Sequence, residues 1–259
     1  MRCLVSGVLQ VTLCNGQILG SLSSLSSLSA DGKDEHKMRE ILGKRRKGGT
    51  ELLRAALTCA EQWQWPVVPG AGYDPEGGRR NPAERDCACL RPDCPVPGVH
   101  PHDPGLLAAT HDPRMVRWWW SSRPDMPLVL ATGGPVSAVS LPLAAGTRAL
   151  EVFDKLGVRV GPVVATPTRI ALLVAPYALE ELGELLDRQE WVPTSLRYHG
   201  QGGYVVLPPS PVGAGQARWV RAPMVDAGAR APWLPGVAVV INTLVQAGTT
   251  EPDGTRLTY

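Results

Sequence analysis

The spacing of apolar and polar positions changes character along this chain. Over 50–64, TELLRAALTCAEQWQ puts Leu53, Ala56, Leu57 and Ala60 on one face at helical spacing, which predicts an amphipathic helix capped by Thr50. WPVVPGAG (65–72) predicts a short strand running into a turn. DPRMVRWWWSSRP (112–124) predicts a helix with a heavy aromatic end that stops before Pro124. Of Trp118, Trp119 and Trp120, two are expected in the core and one outside, with base stacking as the functional alternative.

From 127 onward the period shortens. PLVLAT and VSAVSLPL read as strands separated by Gly133 and Gly134, followed by a helix over 147–157, TRALEVFDKLG, that ends in glycine. GPVVAT and RIALLVAP form a strand pair around Pro167 and Thr168, before an amphipathic helix over 177–189. SLRYHG and GYVVLPPS are two more strands, split by Gly202 and Gly203. ARWVRAP reads as an edge strand, GVAVVINTLVQAG (236–248) as an apolar helix, and the last residues as a disordered tail. This succession predicts an α+β fold, a mostly antiparallel sheet of hairpins with helices packed on it. Glu151, Asp154, Glu180, Glu181 and Asp187 fall on solvated helix faces, and Asp112 and Asp125 on caps or turns.

Between strand and helix lies a long loop, 73–109, with seven prolines. A loop of that length needs something to tie it down. Cys87, Cys89, Cys94 and His100, spaced C-x-C-x4-C-x5-H, supply four donors of the kinds zinc prefers. A structural zinc clip is therefore expected, with His102 as a rival fourth ligand and a metal-free loop with three thiols as the alternative. No glutamate suited to general-base work stands nearby, which argues against catalytic zinc.

Composition bounds the partners. Hydrophobic residues make up 44% and charged residues 19% of 259, enough for a packed core. Residues 1–50 carry +4 of the total +2, so the remainder carries −2 and lacks the basic footprint of most nucleic-acid binders. No apolar run approaches the roughly 20 residues of a membrane span. SLSSLSSLSA marks 1–49 as a low-complexity, basic tail, or as sequence upstream of a true start at Met38. An apolar start interrupted by Gln10, Asn15 and Gln17 makes a poor signal peptide. A cytoplasmic protein with reduced thiols is expected, and the bias toward Arg, Ala, Gly and Pro suggests a bacterial source. KRRK (44–47) reads as a solvated linker, with phosphate contact as the alternative.

Taken in order, QWPVVPGAG, CACLRPDCPVPGVHP, ATHDPRMVRWWWSSRPDMPLVLATG and YHGQGGYVVLPPSP resemble the N-terminal domain of bifunctional DNA primase/polymerases over about residues 51–212. The resemblance implies a primase/polymerase-like, RRM-related fold over 50–212 and leaves 213–259 as a strand-helix extension with its tail. It also implies phosphoryl transfer from nucleotides, which requires carboxylates to hold divalent metals. The family's Asp-x-Asp pair falls on Ser140 and Pro142, and its third carboxylate on Ser195. Its motif histidine, after Thr166 and Pro167, falls in a region of Ala and Leu, and its loop lysine on Val99. Arg197 and His199 lie near the face where the family binds nucleotide phosphates, and Arg suits that task by its planar fork.

The scaffold signature is present and the catalytic set is not. The expectation is a non-catalytic member, with zinc as a structural cofactor and no catalytic Mg or Mn, binding nucleotide, nucleic acid or a protein partner. An active enzyme with an atypical metal site and a pure protein-interaction module are the alternatives.

Overall fold

The computed structural model describes residues 48–74, 86–91 and 93–249. The N-terminal tail, the Met38 start, the KRRK run and the final ten residues lie outside the described residues. The chain divides into Met1–Arg39 and Glu40–Tyr259, and every described residue belongs to the second unit.

Helix α1 is already formed at residue 48 and runs to 57 before widening into a π-turn, Thr58–Gln62. Thr50 is therefore inside the helix and not its cap. Gly48 and Gly49 suggest a helix breaker locally, but the packing of Leu52, Ala56, Cys59 and Ala60 outweighs that propensity. Helix α2, Pro113–Ser122, begins as its sequence predicts, with the Asp112 carboxylate accepting from Arg114 N at 2.9 Å and proline in the first turn. Trp119 and Trp120 are buried and Trp118 is 62% exposed, the expected division of the run.

The class is α+β with antiparallel pairing throughout, as expected, but the strands divide between two main sheets. The first sheet has the order β2-β1-β3-β8, from Gly98–Pro101, Val67–Gly72, Leu128–Ala131 and Tyr204–Leu207. Residues 70–72 belong to strand β1 rather than to a turn, because β1 is paired on both edges. The second sheet has the order β11-β5-β6-β4-β7, from Arg218–Arg221, Val163–Ala165, Arg169–Val174, Ser137–Pro142 and Arg197–His199. A short hairpin, β9 (Pro211–Val212) with β10 (Gly215–Gln216), stands apart. Helix α3, Leu143–Leu156, starts directly after β4, four residues earlier than expected, and ends at Gly157. Helices α4 (Leu179–Asp187) and α5 (Val237–Thr249) follow the expected segments closely. No helix among the described residues is long and apolar enough to cross a membrane.

Each strand of the second sheet divides its side chains by parity. Val139, Leu141, Ile170 and Leu172 join α3, α4 and α5 in one core. Ala138, Ala171, Leu173 and Val164 face the other way and share a core with α1, α2 and the first sheet. The second sheet is thus covered by helices behind and partly by the first sheet in front.

Two links carry the chain between the sheets, and both contain glycines that read in sequence as hairpin turns. β3 passes to β4 through Gly133 and Gly134, and β7 passes to β8 through 200–203. Neither pair forms a hairpin; each strand pairs within a different sheet. The links touch. Thr132 N donates to Gly203 O at 3.0 Å and Thr132 Oγ1 to Gly200 O at 2.8 Å. Gly133 has φ +92°, and a Cβ there would lie 2.1 Å from Gln201 Cα. Gly133→Ala is expected to cost about 3 kcal/mol or more, since backbone must move. Gly202→Ala, with φ +76° but open space around it, is expected to cost only about 1 kcal/mol. Denaturant unfolding of the two variants checks this ordering.

Candidate functional site

The cysteine loop is closed by backbone pairing. After β1 the chain returns at 86–88: Asp74 N donates to Asp86 O, Ala88 N to Gly72 O, and Tyr73 bridges Cys87. Cys87 is thereby set beside β2, which carries His100. Gly98, at φ +75°, packs so closely over the Tyr73 ring that a Cβ would lie 2.6 Å from it, and its N–H points at Cys87 Sγ, 3.1 Å away.

The donor atoms of Cys87, Cys89, Cys94 and His100 all lie within 4.8 Å of one another. Zinc with bonds of about 2.3 Å to sulfur and 2.0 Å to nitrogen needs donor separations of about 3.3–3.8 Å, so small adjustments would complete a tetrahedron. The His100 ring is aimed for ligation: Nε2 lies 3.2 Å from Cys87 Sγ, and Nδ1 is 2.9 Å from Pro101 O. A proton on Nδ1 donated to that carbonyl leaves the Nε2 lone pair for a metal, the usual outer support of a zinc histidine. His102 stands outside the quartet, its ring centroid 6.1 Å from that of His100. The residues fit a structural metal ion, with zinc favoured by the donor set. A cleft of about 420 Å³ separates the clip from the β7–β8 link, lined in part by Arg91, His102, Gly202 and Tyr204.

The second constellation lies on the front face of the second sheet. Register pairs Ser140 with both Ala171 and Arg197, Pro142 with Arg169, and Ala138 with both Leu173 and His199. Directly paired residues share a face, so Ser140, Pro142, Arg169, Arg197 and His199 are brought together. Ser195 is buried just before β7.

Arg169 occupies the middle of this group. Its Nη2 donates to Ser195 O at 2.8 Å, to Ser140 O at 2.9 Å and to Ser140 Oγ at 3.2 Å, while Nε reaches Ser140 Oγ at 3.3 Å. Ser140 Oγ in turn lies 2.9 Å from His199 Nε2. Burial, with help from the Arg169 and Arg197 charges, pushes His199 down to about 4, so the ring is neutral near pH 7, and with its proton on Nδ1 it accepts at Nε2 from the Ser140 hydroxyl. Nothing in the motifs singles out Arg169; the available signal was a lone guanidinium opening an apolar strand, in phase with Ala171 and Leu173.

The helix acids cannot join this face. Helices α3 and α4 pack on the opposite side of the sheet, with Val139 and Leu141. Glu151, Asp154, Glu180, Glu181 and Asp187 are exposed there, and Asp154 pairs with Arg221 at 2.6 Å. Among the described residues, the Cys/His quartet is the one group of three or more His, Cys, Asp or Glu side chains able to converge on a metal.

Residues 56–234 match the family model of the bifunctional DNA primase/polymerase N-terminal domain. The chain belongs to that family. Membership brings the expectation of a primase/polymerase-like role that involves nucleotides or nucleic acid. No curated protein and no solved structure matches the chain.

Two outcomes are expected. The purified protein should contain about one zinc per chain by elemental analysis, and Cys87→Ser should lose it with a Tm drop of about 5 °C or more. His199 is neutral when folded but takes a proton below about pH 6.5 when unfolded, so its contribution to stability is present above that pH. The contribution is lost as pH falls from about 6.5 to about 4. Urea midpoints across that range should fall more steeply for the wild type than for His199→Gln.

Proposed function

We propose that this chain is a primase/polymerase-family protein that no longer performs metal-dependent nucleotidyl transfer and acts by binding a nucleotide or nucleic acid. The observation that carries this reading is Arg169. Its guanidinium lies between Ser140 and Ser195, in the region where the family pattern calls for carboxylates around divalent cations. Those positions here are Ser140, Pro142 and Ser195, and none offers a negative oxygen.

The chemistry of phosphoryl transfer leaves little else for the protein to do. Positioned metal ions neutralise charge on the attacking and leaving oxygens, and carboxylates hold the metals. A divalent cation entering this face would meet a fixed positive charge on Arg169 and a second on Arg197. The residues present therefore do not fit a catalytic Mg or Mn ion. They do suit an anion: Arg197 is exposed on the same face and, among the described residues, makes no hydrogen bond or ion pair. In this reading Arg197 contacts phosphate, and His199 orients Ser140 and through it Arg169.

Primer synthesis and primer extension by the zinc-loaded full chain, with Mg²⁺ or Mn²⁺ and all nucleotides, test the reading. No product above a heat-killed control is expected from folded protein. Robust metal-dependent extension would overturn it in favour of an active enzyme with an atypical metal site.

A further inference from the structure

We infer that the Cys/His clip is a redox switch: a hydroperoxide joins Cys89 to Cys94 as a disulfide and opens the metal site, and a thiol reductant restores it. This rests on the metal reading of the quartet and is independent of the proposed nucleotide binding.

The four donors are held in two different ways, and that difference carries the inference. Cys87 and His100 are fixed by strand pairing. Cys87 is bridged to Tyr73, and its Sγ accepts from Gly98 N at 3.1 Å and lies 3.2 Å from His100 Nε2. His100 belongs to β2, which is paired with β1. Cys89 and Cys94 stand outside the strands, and Cys89 Sγ reaches Arg91 O, within its own turn, at 3.9 Å. All four donor atoms lie within 4.8 Å of one another. The Cys89 and Cys94 sulfurs therefore need to close by at most about 3 Å to reach disulfide distance, and no strand pairing opposes that movement. A disulfide to Cys87 would instead pull on the bridge to Tyr73.

Access is also built in. Cys94 lines the cleft of about 420 Å³ that separates the clip from the β7–β8 link, so a small solute reaches its sulfur without unfolding. Cys59, the remaining described cysteine, is buried. The Cys94 thiolate attacks the hydroperoxide, the O–O bond breaks, and the sulfur becomes a sulfenic acid while an alkoxide leaves and takes a proton from water. The Cys89 thiolate then attacks the sulfenic sulfur, the S–S bond forms, and hydroxide leaves. Two thiolates have lost two electrons, and the hydroperoxide has gained them. Cys87 and His100 alone no longer make a closed site. They stay where β1 and β2 set them, so reduction returns two sulfurs to a site already half formed. Cys94, Pro95 and Val96 line the cleft on the side of the clip, and that wall is released when the site opens.

The test uses the zinc-loaded full chain carrying Cys3→Ser and Cys14→Ser, so that the two thiols near the start of the chain do not react. Hydrogen peroxide is added in modest excess. Zinc release is followed with a chromogenic indicator, and the linked cysteines are mapped by peptide mass. Zinc should leave as the Cys89–Cys94 disulfide forms, with a Tm fall of about 5 °C or more. Dithiothreitol with added zinc should restore both the zinc content and the Tm. Cys94→His keeps four donors of kinds that zinc accepts but removes the disulfide, so peroxide should release its zinc at least about tenfold more slowly.

A disulfide to Cys87, sulfinic or sulfonic acid as the main product, or zinc loss that dithiothreitol and zinc do not reverse would overturn the inference. Equal release rates from Cys94→His and its parent would do the same; if Cys94→His holds no zinc, the mapped disulfide and its reversal in the parent decide. Zinc retained throughout peroxide treatment would remove the switch and leave the metal reading intact. A chain that takes up no zinc at all would remove both.

Discussion

The contact between Gly133 and the backbone of Gln201 is the constraint on which this fold turns. Two chain segments pass between the sheets, β3 to β4 outward and β7 to β8 back, and they touch at a distance that leaves no room for a Cβ. Thr132 secures the crossing with a main-chain and a side-chain hydrogen bond to Gly203 and Gly200. Because β4 follows one link and β7 precedes the other, the crossing sets two of the three strands that carry the polar group. The same crossing lets β3 and β8 pair in the first sheet while β4 and β7 pair in the second. Neither glycine turn closes a hairpin, so the strands on its two sides enter different sheets.

Polar groups on the front face are organised as a chain of donors and acceptors. Arg169 donates to Ser140, and Ser140 lies within hydrogen-bond distance of His199, which burial keeps neutral. Such a network costs little only because each member has its partner. A guanidinium set on neutral oxygens in a partly covered site strengthens the local positive potential, since screening by water is reduced there. A divalent cation needs the reverse arrangement, negative oxygens converging on an empty centre. With Ser140, Pro142 and Ser195 uncharged and Arg169 among them, the group lacks that arrangement.

The Cys/His clip works on a different part of the structure. It ties a proline-rich loop with few apolar residues to the end of β1 and to β2, at the edge of the first sheet. Its cleft toward Gly202 and Tyr204 places it beside the β7–β8 link, and Tyr204 follows the strand that carries His199 by a few residues. A metal held by the quartet would fix this loop to the edge of the first sheet.

Much was determined by the sequence alone, for local reasons. The helix at Pro113–Ser122 follows from Asp112 and Pro113, the strands from their apolar runs, and the metal quartet from donor types close enough in the chain to meet. The family signature, with Ser140, Pro142 and Ser195 at the positions the resemblance compares with carboxylates, is likewise a property of the chain's order. What only the tertiary structure decided depends on pairing between distant residues. Gly133–Gly134 and Gly202–Gly203 look like hairpin turns, because nothing within a few residues distinguishes a return along one sheet from a passage to another. That His100 joins the three cysteines in one quartet of donor atoms is likewise seen only once the returning chain sets Cys87 beside β2. Arg169 acquired its place only when β6 paired with β4, bringing its guanidinium to carbonyls at 140 and 195. Side-chain alternation tells which residues share a face of one strand, but which strands lie side by side is settled by packing across the whole domain.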